Sequence, residues 1–325
     1  MRRREFITLM GGAAAWPVAA RAQQPGMPTI GILDGRSPDT TVDRLRAFRQ
    51  GLRDLSYVEG ENVAIEYRWA DQVDRLPGLA DELVRKRVLT IFTPSTPATN
   101  AAKAATATIP IVFATGYDPV TSGLVASLAR PGGNLTGINF LNNELVGKQI
   151  DLLRELVPRA TRVAALVNPA NFTNSSVALA DLESTARAKG LLIQVLKAST
   201  ASEIDEAFAT ASRNSPDALF VSGDGFFTSR RVQLAQLATF HKLPTIFANR
   251  EFAEVGGVMT YGANVAEAWR QAGVYAGRIL KGAKPVDLPV VQPSKFELII
   301  NTRTARMLGI EVPATLLARA DEVIE

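Results

Sequence analysis

Nine polar side chains stand where short β-branched runs give way to loops: Ser37, Ser95, Thr96, Tyr117, Asp118, Asn168, Asn171, Asp224 and Asn249. Hydroxyls, amides and carboxylates so placed can hydrogen-bond and charge-pair with a small solute. Phe140, Phe226 and Tyr261 could wall it, although most aromatics are core residues; Phe226 and Phe227 are adjacent, so one of them is expected to face the core. The set has no evident means of making or breaking covalent bonds. There is no cysteine, which excludes thiolate catalysis. His241, the only histidine, lies in Phe240-His241-Lys242-Leu243-Pro244, the expected end of a helix, where a cation meets the last carbonyls. Without Cys or a His pair no zinc site is expected. The stretch Thr29 to Arg36 holds no G-x-G-x-x-G, and no G-x-S-x-G elbow occurs, so a nicotinamide-dependent or hydrolytic α/β enzyme lacks its motif. No cofactor is expected.

The elements that must position these residues alternate. Thr29–Leu33 reads as a strand, and Val42, Leu45, Phe48, Leu52 and Leu55 form one apolar helix face. Strands at 63–67, 89–92 and 109–114 follow, with helices between them and a further helix expected from about 120 to 128. After the extended segment 134–140 the pattern starts afresh. Helices at about 145–156, 176–189 and 231–240 alternate with strands at 162–167, 192–196, 218–221 and 245–248. Thr200 and Glu203 read as a capping box for another helix. The segment 258–264 is again extended, a helix spans 265–280, and 296–300 reads as the last strand. Such alternation gives parallel sheets covered by helices. The expected fold is α/β: two Rossmann-like lobes joined by three crossings near 137, 262 and 290. Residues 27–137 with 262–290 form the first lobe, and 138–261 with 291–325 the second. Multiple crossings suit hinged closure, and loops at the carboxyl ends of the strands should face the shared cleft.

The ends bound the setting. Met1-Arg2-Arg3-Arg4-Glu5-Phe6-Ile7 leads into an apolar run from Leu9 to Ala20 and then Ala20-Arg21-Ala22, which reads as a signal cleaved after Ala22. Arg3-Arg4 before Phe6 gives it a twin-arginine character. Without these 22 residues the chain keeps 32 basic and 31 acidic side chains, a net charge of +1. No basic face remains for nucleic acid. The lack of cysteine also excludes a lipid anchor, so a freely diffusing periplasmic monomer is expected.

Two stretches carry a family resemblance. Gly51-Leu52-Arg53 through Gly60-Glu61-Asn62-Val63-Ala64-Ile65-Glu66-Tyr67-Arg68-Trp69-Ala70 is one. Tyr117-Asp118-Pro119-Val120 through Ser127-Leu128-Ala129-Arg130-Pro131-Gly132-Gly133-Asn134-Leu135-Thr136-Gly137 is the other. Both resemble ABC-transporter substrate-binding proteins related to tryptophan-binding proteins. The resemblance implies a type I periplasmic-binding-protein architecture, no catalysis, and delivery of a small amino acid-like or aromatic solute to an inner-membrane ABC permease. A sensor that reports to a membrane receptor is the alternative.

For an amino-acid ligand the candidates divide by chemistry. Ser95, Thr96 and, less directly, Ser37 precede helices, where an anion is favoured; they could take a carboxylate or cap the helix. Asp224 is the first choice for the ammonium and otherwise suits the turn Gly223-Asp224-Gly225; Asp118, before a proline and a helix, could contact the ligand or cap that helix. Asn168, Asn171 and Asn249 could donate amides, Tyr117 a hydroxyl.

Overall fold

A computed structural model describes residues 26–169, 175–293 and 295–325; the expected signal lies outside them. β1 (Thr29–Asp34), β2 (Ala64–Trp69), β3 (Thr90–Thr93), β4 (Ile111–Thr115) and β5 (Leu135–Asn139) form one parallel sheet, in the order β2-β1-β3-β4-β5. Except at the edge strand β2, these strands are buried almost throughout, as apolar strands covered on both faces must be. α1 (Val42–Arg53), α2 (Leu76–Arg85) and α3 (Thr96–Ala105) connect them.

Past β5 the chain crosses through Leu141, in a left-handed conformation (φ 60°), into α4 (Asn142–Leu156). β6 (Arg162–Val167), β7 (Leu192–Lys197), β8 (Ala218–Val221), β9 (Thr245–Phe247) and β10 (Met259–Ala263) build a second parallel array. It is connected by α5 (Ser175–Ala188), α6 (Ala201–Asn214), α7 (Gly225–Ser229), α8 (Arg231–Phe240) and α9 (Glu251–Glu254). The second crossing leads to α10 (Val265–Leu280), which packs on the first sheet. Val291 then bridges Ile138, and the chain returns as β11 (Phe296–Asn301), antiparallel to β10. α11 (Thr302–Leu308), α12 (Ala314–Leu317) and β12 (Glu322–Ile324) complete a sheet ordered β12-β11-β10-β9-β8-β6-β7. The two-lobed α/β architecture with three crossings is as expected.

α10 reaches the first lobe by close contact with α1. A Cβ on Gly51 would lie 1.9 Å from the Arg270 carbonyl oxygen, and one on Gly273 2.1 Å from that of Phe48. Only glycine permits that approach. The contact seats Trp269 edge-on against Phe92, at 5.0 Å, and Phe92 stacks on Phe48 at 4.8 Å.

The helix expected over 120–128 does not form. Leu124 N–H bonds back to Pro119, but Gly123 turns left-handed (φ 69°) and ends the helical path after one turn. The segment 296–300 is not the last strand, because β12 pairs with β11 beyond it. The short helices α7 and α9, without an amphipathic repeat to announce them, follow β8 and β9. The capping box at Thr200 and Glu203 forms in full. Phe227 is wholly buried while Phe226 is only partly so. No helix among the described residues is long and apolar enough to cross a membrane.

Candidate functional site

The carboxyl ends of the strands in both sheets meet across a cavity. The first lobe contributes Arg36 beyond β1, Ser95 and Thr96 beyond β3, Thr115 to Tyr117 at the end of β4, and Phe140 beyond β5. The second contributes Gly223, Asp224 and Gly225 beyond β8, Thr228 of α7, Asn249 beyond β9, and Ala263 of β10. Arg44 of α1, Val265 of α10, Pro94 and Ala114 complete the lining. The space free of protein atoms is about 540 Å³, its open side to solvent included. Ser37, Asn168 and Phe226 stand at the adjoining mouth, with Arg36, Ser95 and Asp224 shared between the two spaces.

Local folding explains each placement. Ser95 has extended backbone and accepts a hydrogen bond from the Ala98 N–H at 3.4 Å, capping α3. The Thr96 and Thr115 hydroxyls pair at 2.7 Å. Asp224 caps α7, its Oδ1 accepting from the Phe227 N–H and from Asn168 Nδ2, each at 3.1 Å. Ser199 donates to Asn168 Oδ1, and Asn249 donates to the Thr228 hydroxyl, which itself donates to the Asp224 carbonyl. Loops after β6, β7, β8 and β9 are thereby tied into one polar chain with Asp224 at its centre. Such networks hold a carboxylate in one orientation.

Tyr117 and Asp224 belong to opposite lobes yet sense each other: burial, reinforced by the Asp224 charge, pushes the Tyr117 hydroxyl above its usual range. The phenol therefore stays protonated and able to donate. A second cross-lobe contact joins α1 to α9, where Arg44 Nε and Nη2 donate to Glu251 Oε1 at 2.9 and 2.7 Å. Burial alone would raise the Glu251 carboxyl, but the Arg44 guanidinium outweighs it and holds the group below its ordinary value. Burial also lowers Arg44, although arginine remains charged across the physiological range. Arg36 forms a buried two-point pair with Asp34, Nε to Oδ1 at 2.9 Å and Nη2 to Oδ2 at 2.7 Å, and its guanidinium lies over the Trp269 ring.

Six of the twelve sequence candidates line the cavity: Ser95, Thr96, Tyr117, Phe140, Asp224 and Asn249. Ser37, Asn168 and Phe226 are at the mouth. Asp118 instead caps the turn at Val120, whose N–H donates to its Oδ1 at 2.9 Å. Tyr261 packs against the core on the α4 side of the second sheet and against Phe296. Asn171 lies outside the described residues. Arg36, Arg44 and Thr228 line the cavity without having been singled out in the sequence. Arg36 carried a signal, in the loop directly after the first strand, whereas Arg44 and Thr228 sit within helices and carried none. Among the described residues no cluster of His, Cys, Asp and Glu could hold a metal.

Two α/β lobes that close their strand-end loops around a polar cavity define the class of type I periplasmic binding proteins; a leucine-binding protein from Thermotoga maritima shares this fold (14% identity, TM-score 0.54, 78% of this chain and 81% of that one). Residues 30–324 match the ABC transporter substrate binding protein family, and the chain belongs to it. A tyrosine-binding protein of Clostridioides difficile (strain R20291) is 28% identical over 268 residues, 82% of this chain and 76% of the relative. An ABC domain from Streptococcus pneumonia, solved in complex with L-Trp, is 25% identical with a TM-score of 0.83 over 91% of this chain and 99% of that one. A substrate-binding protein from Clostridium difficile, solved ligand-free and open, is 26% identical, with a TM-score of 0.66 over 92% and 99%. These relatives are binding proteins, not enzymes.

Proposed function

We propose that this chain is the periplasmic solute-binding component of an ABC importer and captures an aromatic amino acid by closing its lobes. The observation that carries this reading is the cavity lined from both lobes by strand-end loops, with charged and hydroxyl groups beside Phe140. Kinship with the tyrosine-binding and L-Trp-bound proteins supports the ligand class. The closer likeness to the L-Trp complex than to the open, ligand-free relative, at nearly equal identity, supports a closed arrangement here.

The geometry supports the following roles. Asp224, oriented by Asn168 and the start of α7, takes the ammonium, with the Tyr117 hydroxyl opposite. Phe140 packs on the ring. Ser37, Asn168 and Phe226 guard the mouth. The two lobes, expected over 27–137 with 262–290 and over 138–261 with 291–325, move as two bodies whose limits lie a few residues further on, flexing where the chain crosses near Leu141, Asn264 and Val291. The first 22 residues direct export, with cleavage after Ala22, and the mature chain acts as a monomer that docks on an inner-membrane permease.

Titration calorimetry of the mature protein against the twenty amino acids tests this. One-to-one binding of L-tyrosine or L-tryptophan, tighter than of any aliphatic amino acid, is expected. Preference for an aliphatic or non-amino-acid solute overturns the aromatic reading.

A further inference from the structure

Two buried guanidinium groups line the cavity, and the protein fills neither. Arg36 uses Nε and Nη2 on Asp34, and Arg44 uses the same two nitrogens on Glu251. Among the described residues, Nη1 of each meets no acceptor. Their side chains are only 6% and 8% exposed. A guanidinium has five N–H donors, and neither Nη1 is among the fully buried polar atoms that lack a partner, so each stays accessible from the cavity. The open edges of Arg36 and Arg44 therefore mark a place for an acceptor from outside the chain. The two cations also act on each other, Arg36 contributing to the lowering of Arg44, so an anion shared between them relieves like-charge repulsion. Asp34 and Glu251 offset these charges only in part of the space around them, because each carboxylate sits on the Nε–Nη2 edge of its partner.

We propose that Arg36 and Arg44 form a carboxylate-binding subsite, and that this pair, more than Ser95 and Thr96, holds the anionic end of the solute. The inference rests on the cavity being the solute site. Ser95 and Thr96 already serve α3 and Thr115, whereas the planar guanidinium edges match a carboxylate. Arg44 is also bonded to Glu251 of the other lobe, so a carboxylate on Arg44 lies against the contact that holds the lobes together. Asp224 across the cavity then takes the opposite charge of a zwitterion.

The test is calorimetry on matched pairs: each of the twenty amino acids, phenylpropionate and succinate, against the carboxamide of each. With the unmodified mature protein, replacing carboxylate by carboxamide should weaken the tightest binder about 100-fold, as loss of one or two charged hydrogen bonds requires. In Arg44→Gln, and in the double variant Asp34→Asn/Arg36→Gln, which strands no carboxylate, the same replacement should cost less than about tenfold. A carboxamide that binds the unmodified protein as tightly as its acid overturns the subsite whether or not the variants fold, and leaves the aromatic reading standing. Tight binding of a non-aromatic acid overturns the aromatic reading and leaves the subsite standing. Binding of no anion in the panel overturns the subsite.

Discussion

Asp224 combines an observed helix cap with a proposed role as ammonium partner, and a single substitution can separate the two. Its Oδ1 caps α7, and its charge faces a cavity that also receives the Tyr117 hydroxyl. Asparagine is as good an N-cap as aspartate, whereas alanine costs about 0.5–2 kcal/mol at such a position. Asp224→Asn should therefore leave the denaturation midpoint nearly unchanged yet weaken an ammonium-bearing ligand tenfold or more, about 1.4 kcal/mol. Asp224→Ala should lose both. Parallel denaturant titrations and calorimetry read the two effects apart, and unchanged affinity in Asp224→Asn would remove the charge from the site. The sequence raised a turn role and an ammonium role for Asp224, but not the cap of α7, a helix too short to show in the pattern. It offered no hint that Asn168 and Ser199 would steady it, because those contacts span 56 and 31 residues. Tyr261 shows the converse: it sits in a crossing strand, as expected, but period-two alternation with Met259 turns its ring to the α4 side of the sheet.

At the scale of elements, the helix pair α1 and α10 makes the first lobe out of segments more than 200 residues apart. Their axes approach only because Gly51 and Gly273 carry no Cβ. Gly273→Ala would force backbone atoms apart, and overpacking of this kind costs about 1–3 kcal/mol or more. Gly78 in α2 provides the contrast, since a Cβ there meets nothing within 4 Å. Gly78→Ala should raise stability by up to about 1 kcal/mol, the helix-propensity difference. Urea unfolding of both variants checks the pair, and a stabilised Gly273→Ala would contradict the packing described. The apolar face of α1 was readable from spacing, and so was the existence of a helix over 265–280. Which helix each would meet was not, because periodicity reports a face and not its partner. The expected 120–128 helix failed for a local reason, the left-handed Gly123. α7 and α9 escaped notice because helices of four or five residues show no repeat.

Across the whole molecule, the Arg44–Glu251 pair ties one lobe to the other. The Glu251 carboxyl is held below its ordinary value of 4.5 in the folded chain. A depressed carboxyl contributes stability that is present above the unfolded-state value and is lost as pH falls through the folded-state value. The pair is partly buried, so Glu251→Gln should cost about 1–3 kcal/mol at pH 7, between exposed and buried pairs. The difference between variant and unmodified protein should shrink once the pH falls well below 4.5. Denaturant titrations at pH 7 and pH 3 measure it, and an equal difference at both would show that the charge pair is not responsible.

Most of the strands and helices, the two α/β lobes and the loops that carry polar side chains to a cleft were legible along the chain. Each follows from local rules: hydrophobic period, turn chemistry, and the carboxyl-end placement of sites in parallel sheets. The absence of cysteine and the lone histidine narrowed the chemistry in the same way. Only the tertiary structure decided that Tyr117 would face Asp224, that Arg44 would reach Glu251 over 207 residues, and that Arg36 and Arg44 would be buried side by side at the cavity. Those outcomes depend on how two lobes meet, a relation between distant segments on which local propensity is silent.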